Sequence, residues 1–119
     1  MKYKPHTIKG TIHAKDYSKR VIFIPEDFQK EGHLLQVVTI PPKTKQRPHF
    51  HRKQTEVFYI LKGEAYIYIN NKEYLAKPGD AFICSPGDKH NLWNQTDKDF
   101  KLVVFKNDFP RGSDTEWGK

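Results

Sequence analysis

The feature that most constrains the fold of this chain is a succession of short segments rich in aliphatic, β-branched and aromatic residues, each closed by turn residues. These segments cover residues 21–24, 34–40, 57–61, 65–69, 73–76, 81–84, 91–93 and 100–105. Turn residues separate them, for example Pro41-Pro42, Asn70-Asn71 and Pro86-Gly87-Asp88. Many short strands at regular spacing are typical of sandwiches and barrels. The sequence therefore predicts an all-β fold.

Helix signals are confined to one short segment. Pro25 suits the first position of a helix, Glu26 and Asp27 place acids in the first turn, and Gly32 ends the segment. The signals cover residues 25–30, which allows about two helical turns at most.

The length of 119 residues suits one ordinary domain and excludes a second of full size. Hydrophobic residues make up only 36% of the chain, below the usual ~45–50%. The 8 Phe, 6 Tyr and 2 Trp offset this shortfall, because large rings bury much area each. We expect a single domain over residues 1–119, with a polar C-terminal tail over 107–119 in which Phe109 and Trp117 offer anchors.

Several classes of protein are excluded by the composition. No apolar run approaches the ~20 residues of a membrane span, and the first ten residues lack the apolar stretch of a signal peptide. The one cysteine, Cys84, excludes an intramolecular disulfide framework and any Cys-rich zinc or iron–sulfur site. The net charge of +7 suits nucleic acid as a partner, but no nucleic-acid-binding motif accompanies it. We expect a cytoplasmic protein that binds neither nucleic acid nor membrane.

The 6 histidines fall into two groups. His6, His13 and His33 are scattered along the chain, and we expect them to lie at the surface or to be satisfied by neighbours. His49 and His51 are two residues apart, so in a strand both imidazoles face the same side.

A carboxylate and a third imidazole have the same inward pattern. Glu56 heads the row that continues with Phe58 and Ile60, and His90 shares its face with Leu92. If the sheet closes on itself, these rows meet. Three imidazoles and one carboxylate then suit one divalent first-row transition ion, which is Mn, Fe, Co, Ni, Cu or Zn. Such an ion would offset the cost of burying the Glu56 carboxylate in an apolar interior. An octahedral coordination shell would leave two positions open.

The spacing of these residues resembles the two motifs of the cupin superfamily. The first motif is His-x-His, three or four residues, Glu, six residues and Gly, and this chain has His49-Phe50-His51, four residues, Glu56, six residues and Gly63. The second is Gly, five residues, Pro-x-Gly, two residues, His, three residues and Asn, and this chain has Gly79, five residues, Ser85-Pro86-Gly87, two residues, His90, three residues and Asn94. Two positions depart from the pattern, because Lys43 and Ser85 stand where Gly and Pro are common.

The resemblance implies a fold and a set of ligands. The fold would be the small antiparallel jelly-roll barrel of cupins, the double-stranded β-helix. The metal ligands would be His49, His51, Glu56 and His90, whereas Asn94 is a pattern residue and not a ligand. Gly63, Gly79 and Gly87 would occupy turns that need positive φ. Small cupins commonly form dimers, so a homodimer is expected.

The resemblance leaves three functions open. In a small metalloenzyme, of dioxygenase or isomerase type, the ion would bind and activate a small oxygenated substrate. In a non-catalytic module, the barrel would bind a sugar or another small molecule. A metal-free isomerase is the third hypothesis, and the complete ligand set argues against it. Neither the substrate nor the native metal follows from the motifs.

Some residues near the motifs allow two interpretations each. The basic segment 43–53 could attract an anionic substrate or be a solvated loop, and we favour the loop because basic residues are common throughout the chain. Cys84 could be a redox-sensitive thiol or a small buried residue. Tyr66 and Tyr68 could face the cavity or the outside, and we favour a role in the core or an interface. Trp93 alternates away from the inward row and could pack on the other sheet or on another subunit.

Overall fold

The computed structural model describes residue 3, residues 10–110 and residues 113–117. His6 lies outside the described residues. The strands are β1 Thr11–His13, β2 Ser18–Phe23, β3 Gly32–Ile40, β4 Thr44–Lys45, β5 His49–His51, β6 Thr55–Lys62, β7 Ala65–Ile69, β8 Lys72–Ala76, β9 Ala81–Cys84, β10 His90–Asn94, β11 Phe100–Phe109 and β12 Thr115–Trp117. The helix α1 covers Pro25–Phe28. None of the helical structure in these ranges is long and apolar enough to cross a membrane.

Two antiparallel sheets form the all-β fold that the sequence predicts. The first sheet has the strand order β1-β2-β3-β11-β6-β9, and the second has the order β12-β5-β10-β7-β8, with β4 beside β10. Neighbours in both sheets are mostly distant in sequence, as in a double-stranded β-helix, and every pairing is antiparallel. This arrangement is the expected jelly-roll barrel.

Alternation along the strands produces the core between the sheets. In β3 every second residue is buried, from Leu34 through Val38 to Ile40. Phe58 and Ile60 of β6 follow the same rule, because successive side chains of a strand point to opposite faces. The core is completed by a buried set of apolar side chains: Ala65, Ile67, Ala76, Cys84, Leu92, Phe100, Leu102 and Val104.

Several boundaries differ from the sequence prediction. The strand expected at 21–24 begins at Ser18 and ends at Phe23, because Ile24 caps α1 with its backbone. The helix expected over 25–30 ends at Phe28, where Gln29 adopts a left-handed conformation. The prediction did not include the short strands β1, β4 and β12. Such short strands carry too few residues for a periodic signal.

The segment 107–119, expected to be a polar tail, begins in the last residues of β11. Further along, β12 pairs with β5, and the register sets Thr115 opposite His51 and Trp117 opposite His49. The strand that carries the His-x-His sequence therefore lies between β12 and β10 in the second sheet.

The glycines of the two motifs occupy turns, as expected. Gly63, Gly79 and Gly87 all have positive φ. At Gly63 a Cβ atom would also lie 2.6 Å from the carbonyl oxygen of Asp99, so this turn needs glycine for its conformation and for its space. Lys43, which stands where Gly is common in the pattern, has a positive φ of 55° as well.

Candidate metal centre

The four expected ligand residues come together inside the barrel. His49 and His51 lie on β5, Glu56 lies near the start of β6, and His90 begins β10 directly opposite His49. All four side chains are buried, and one potential ligand atom from each lies within 4.8 Å of the others. The group can therefore hold a single metal ion.

Glu56 lies at the centre of the group. Its Oε1 atom is 2.6 Å from Nε2 of His51 and 3.1 Å from Nε2 of His90. The contact with His90 is a hydrogen bond. The contact with His51 also has a hydrogen-bond distance, and a hydrogen bond from this imidazole helps to lower the pKa of Glu56. The Nε2 atoms of His51 and His90 therefore both face the same carboxylate oxygen.

The outer nitrogens of the three rings are all held by neighbouring groups. Nδ1 of His49 lies 3.1 Å from the carbonyl oxygen of Arg47, and Nδ1 of His90 lies 2.9 Å from that of Asp88. A carbonyl only accepts, so both Nδ1 atoms donate a proton. In a neutral ring this leaves the lone pair on Nε2, which faces the centre. This outer support is the arrangement that metal-binding histidines need.

The third ring depends on the C-terminal strand. Nδ1 of His51 lies 3.0 Å from the hydroxyl of Thr115 and 3.5 Å from Oδ1 of Asp114. Trp117 packs against His49, with ring centroids 4.8 Å apart. These contacts fix the orientation of the His-x-His pair from outside the motif.

The environment of the four residues favours the protonation states of His49 and Glu56 that bind a cation. Burial lowers the pKa of His49 to about 4, so this ring is neutral near pH 7. Burial opposes ionisation of Glu56, but the His51 and His90 imidazoles outweigh it and hold its pKa well below the usual range. Burial alone would lower the pKa of His90, yet hydrogen bonds with Cys84 and Glu56 raise it to about 10. His90 would therefore release a proton on binding a metal.

A cavity of about 380 Å³ opens beside the group. This volume suits a small ligand. Its wall includes apolar side chains such as Val38, Leu92 and Val104, together with the amides of Gln36 and Gln46. An apolar wall with a few polar groups can orient a ligand at the metal-binding atoms.

Sequence reasoning missed several residues of this cavity. They are Tyr17, Lys19, Lys106, Asp114, Thr115 and Trp117. Lys106 carried a signal, because it continues the inward alternation of Leu102 and Val104, but the predicted strand stopped at residue 105. The β12 residues carried no local signal, since their role depends on pairing with a strand 64 positions away.

The segment 43–53 contains β4 and β5, and several of its basic side chains have partners on neighbouring segments. Lys43 bonds the carbonyl oxygen of Gln95 and pairs with Asp97, and Lys45 lies over the ring of Trp93. The next two basic side chains have partners too, since Arg47 contacts Asp16 and Trp117, and Arg52 contacts Glu116. No lysine or arginine of the segment belongs to the described lining of the cavity.

The other ambiguous residues are also placed. Cys84 is buried in the core cluster. Tyr66 and Tyr68 lie on the outer face of β7, because Ala65 and Ile67 point inward. Trp93 lies outside as well, beneath the ammonium group of Lys45.

Asn94 is a structural residue, as the motif implies. It is fully buried, and its Nδ2 atom lies within hydrogen-bond distance of the carbonyl oxygens of Ile40, Pro41 and Lys98. Its Oδ1 atom accepts from the backbone and the hydroxyl of Thr96. Asn94 thus ties β10 to the end of β3 and to the loop before β11.

Comparisons with known proteins agree with this description. A family model described as the cupin domain matches residues 36–106. The chain is 30% identical over 81 residues to an oxalate-binding protein of Thermotoga maritima, covering 66% of this chain and 67% of that one.

Solved structures show the same fold. The plu4264 protein of Photorhabdus luminescens matches with a TM-score of 0.77 at 20% identity, over 89% of this chain and 87% of that chain. A predicted oxalate decarboxylase of Thermotoga maritima matches with a TM-score of 0.72 at 22% identity, over 78% of this chain and 81% of that chain.

Proposed function

The chain belongs to the cupin family, and we propose that it is a small metalloenzyme that holds one divalent transition ion on His49, His51, Glu56 and His90. Its substrate would be a small oxygenated molecule that enters the cavity beside the ion. The observation that carries the proposal is the convergence of four buried donor side chains at the wall of that cavity.

The residues present fit such an ion. Nε2 of His49 and Nε2 of His90 face the centre because their Nδ1 atoms donate to backbone carbonyls. Neutral imidazoles and a carboxylate are the donors that Mn, Fe, Co, Ni, Cu and Zn accept in proteins. When bound, the ion would supply Lewis-acid polarisation of a substrate oxygen, or oxygen chemistry if it is redox-active.

The protein's own part in the reaction is to position the substrate and to exclude water. Val38, Leu92 and Val104 keep the interior apolar next to the ligand atoms, which strengthens polar contacts made there. The amide groups of Gln36 and Gln46 offer hydrogen bonds that can orient a substrate oxygen. These groups suit dioxygenase-type and isomerase-type chemistry equally.

Metal content tests the proposal directly. Protein purified without added metal, and protein reconstituted with each candidate ion, would be analysed by plasma mass spectrometry. We expect near one equivalent in the parent and loss of it in a His49→Ala/His90→Ala variant. A His13→Ala/His33→Ala variant removes the same number of imidazoles outside the group and should keep the ion. A parent that stays metal-free after reconstitution would contradict the proposal.

A second candidate function is binding without turnover. The name of the Thermotoga maritima relative, an oxalate-binding protein, favours this alternative. Titration calorimetry and product analysis on the same metal-loaded sample separate the two. Binding of a small oxygenated molecule with no product on any substrate of a panel of dicarboxylates, keto acids and sugars would leave the binding module as the function.

We also propose a homodimer, and the cytoplasmic location expected from the sequence stays a prediction. The first sheet presents an apolar outer face, made of Leu35, Val37, Val57, Tyr59, Ile83, Val103 and Phe105. Ile83 is 61% exposed and Tyr59 is 49% exposed. Contiguous apolar faces mark interaction sites, and two-fold dimers are the commonest soluble oligomers.

A further inference from the structure

Two lysines outside both motifs belong to the wall of the cavity. Lys19 lies on β2 opposite Val38, and Lys106 lies on β11 opposite Leu34. Val38 and Leu34 point into the core. Residues opposite each other in a sheet share a face, so both lysines lie on the inner face. Lys106 is also opposite Glu56 on its other side, which places it next to the ligand group.

Neither ammonium group has an ion pair among the described residues. The Lys106 ammonium lies 5.0 Å from the centroid of the Phe109 ring, which itself lines the cavity. Burial lowers the pKa of Lys106, the Glu56 carboxylate opposes this effect, and the positive charge of Lys19 acts in the same direction as burial. The two lysines belong to the wall of one cavity, and the Lys106 ammonium is influenced by Lys19 as well as by Glu56.

The nearby carboxylates are already engaged by other donors. Glu56 faces His51 and His90. Asp114 accepts from the backbone of Lys53 and Gln54 and from Nε2 of Gln54. These two acids balance the two lysines in formal charge, so a divalent ion on the ligand group would leave two positive charges uncompensated in the cavity.

We propose that Lys19 and Lys106 form an anion subsite. One group of the substrate would reach the metal through its oxygens, and a second, anionic group would bind to the two lysines. The substrate class is then a small dianion with a carboxylate or a phosphate at the end away from the ion. This inference rests on the proposed metal site and adds the charge that the substrate must carry. The lysines bind this anion as charge-assisted hydrogen-bond donors and need no proton transfer to do so.

The test uses three probes with one common core: acetate, malonate and phosphonoacetate. Each would be titrated calorimetrically into the Zn²⁺-loaded parent and into Lys19→Met, Lys106→Met and Lys106→Arg variants. Lys101→Met is the matched control, because Lys101 lies on the same strand and points away from the cavity. We expect malonate or phosphonoacetate to bind at least tenfold more tightly than acetate to the parent, and the tighter of the two identifies the anion.

Removal of either cavity lysine should cost roughly 10- to 100-fold in affinity for the dianion, the range of a hydrogen bond to a charged group. Acetate binding should stay unchanged, Lys106→Arg should keep the preference, and Lys101→Met should match the parent. A preference for the dianion that persists in both Met variants would come from chelation at the ion and would overturn the inference. If one Met variant does not fold, the other carries the test.

Metal analysis of the same samples separates the two proposals. Parent protein that holds zinc but binds the dianions no better than the Met variants do would refute the subsite and leave the metal site intact. Parent protein that holds none of the candidate ions after reconstitution would refute the metal site. In that case phosphate-induced thermal stabilisation of the metal-free parent, absent from the Met variants, would still support the subsite, and equal stabilisation would refute it.

Discussion

Asn94 shows how much of this fold depends on one buried side chain. Its amide group serves three backbone carbonyls and the Thr96 side chain at a position with no exposure to solvent. A buried polar group whose partners are removed leaves those partners unsatisfied. The residue thus acts on stability and holds β10, the strand of His90, in place.

We predict that Asn94→Ala lowers the free energy of unfolding by about 2–4 kcal/mol, because several buried groups lose their partner at once. Asn94→Asp should also destabilise, since a carboxylate cannot donate to the carbonyls. Gln95→Ala, which removes an exposed amide next in sequence, should change the free energy of unfolding by less than about 0.5 kcal/mol. Urea denaturation of the three variants measures the differences, and equal stability of Asn94→Ala and the parent would contradict this role.

At the level of elements, the turns between strands set the register in which the strands pair. Gly63 joins β6 to β7, and Gly79 stands in the turn before β9. Both have positive φ, but only Gly63 has a backbone atom, the Asp99 carbonyl oxygen, where a Cβ would lie. At Gly79 no atom lies within 4 Å of an added Cβ.

Alanine variants of the two glycines distinguish the free-energy cost of a left-handed backbone from the cost of a steric clash. Gly79→Ala should cost about 1–2 kcal/mol for the left-handed backbone alone. Gly63→Ala should cost about 1–3 kcal/mol more, because the loop at Asp99 must shift. Chemical denaturation of both variants gives the difference, and equal losses would mean that the close approach at Gly63 has no energetic weight.

The four residues of the candidate metal centre and the cavity lysines differ in how far the sequence predicts them. His49, His51, Glu56 and His90 were predictable, because strand alternation and fixed spacing put them on inner faces. Lys106 was missed because the predicted strand stopped at residue 105, although Lys106 continues the inward alternation of Leu102 and Val104. Its place depends on its being opposite Glu56 in another strand, and such pairing leaves no trace in a single sequence.

For the whole molecule, the apolar outer face of the first sheet is the surface on which the proposed homodimer depends. We predict that the parent elutes with the mass of two chains and that Ile83→Glu gives a monomer. Ile83 is 61% exposed, so a charge there is tolerated in one chain and is costly only if a second copy covers it. Leu75→Glu, at an exposed position of the other sheet, is the control and should stay dimeric. Light scattering after size exclusion measures the mass, and a monomeric parent would contradict the proposal.

The contact between His51 and Thr115 has a consequence for biosynthesis. The two residues are 64 positions apart, so His51 leaves the ribosome first and waits for the residue that orients it. At roughly 5–20 residues per second, that delay is about 3–13 s. A nascent chain in that interval carries His49, His51 and His90 before β12 has formed. The support that Thr115 gives to His51 is therefore complete only after translation has passed β12.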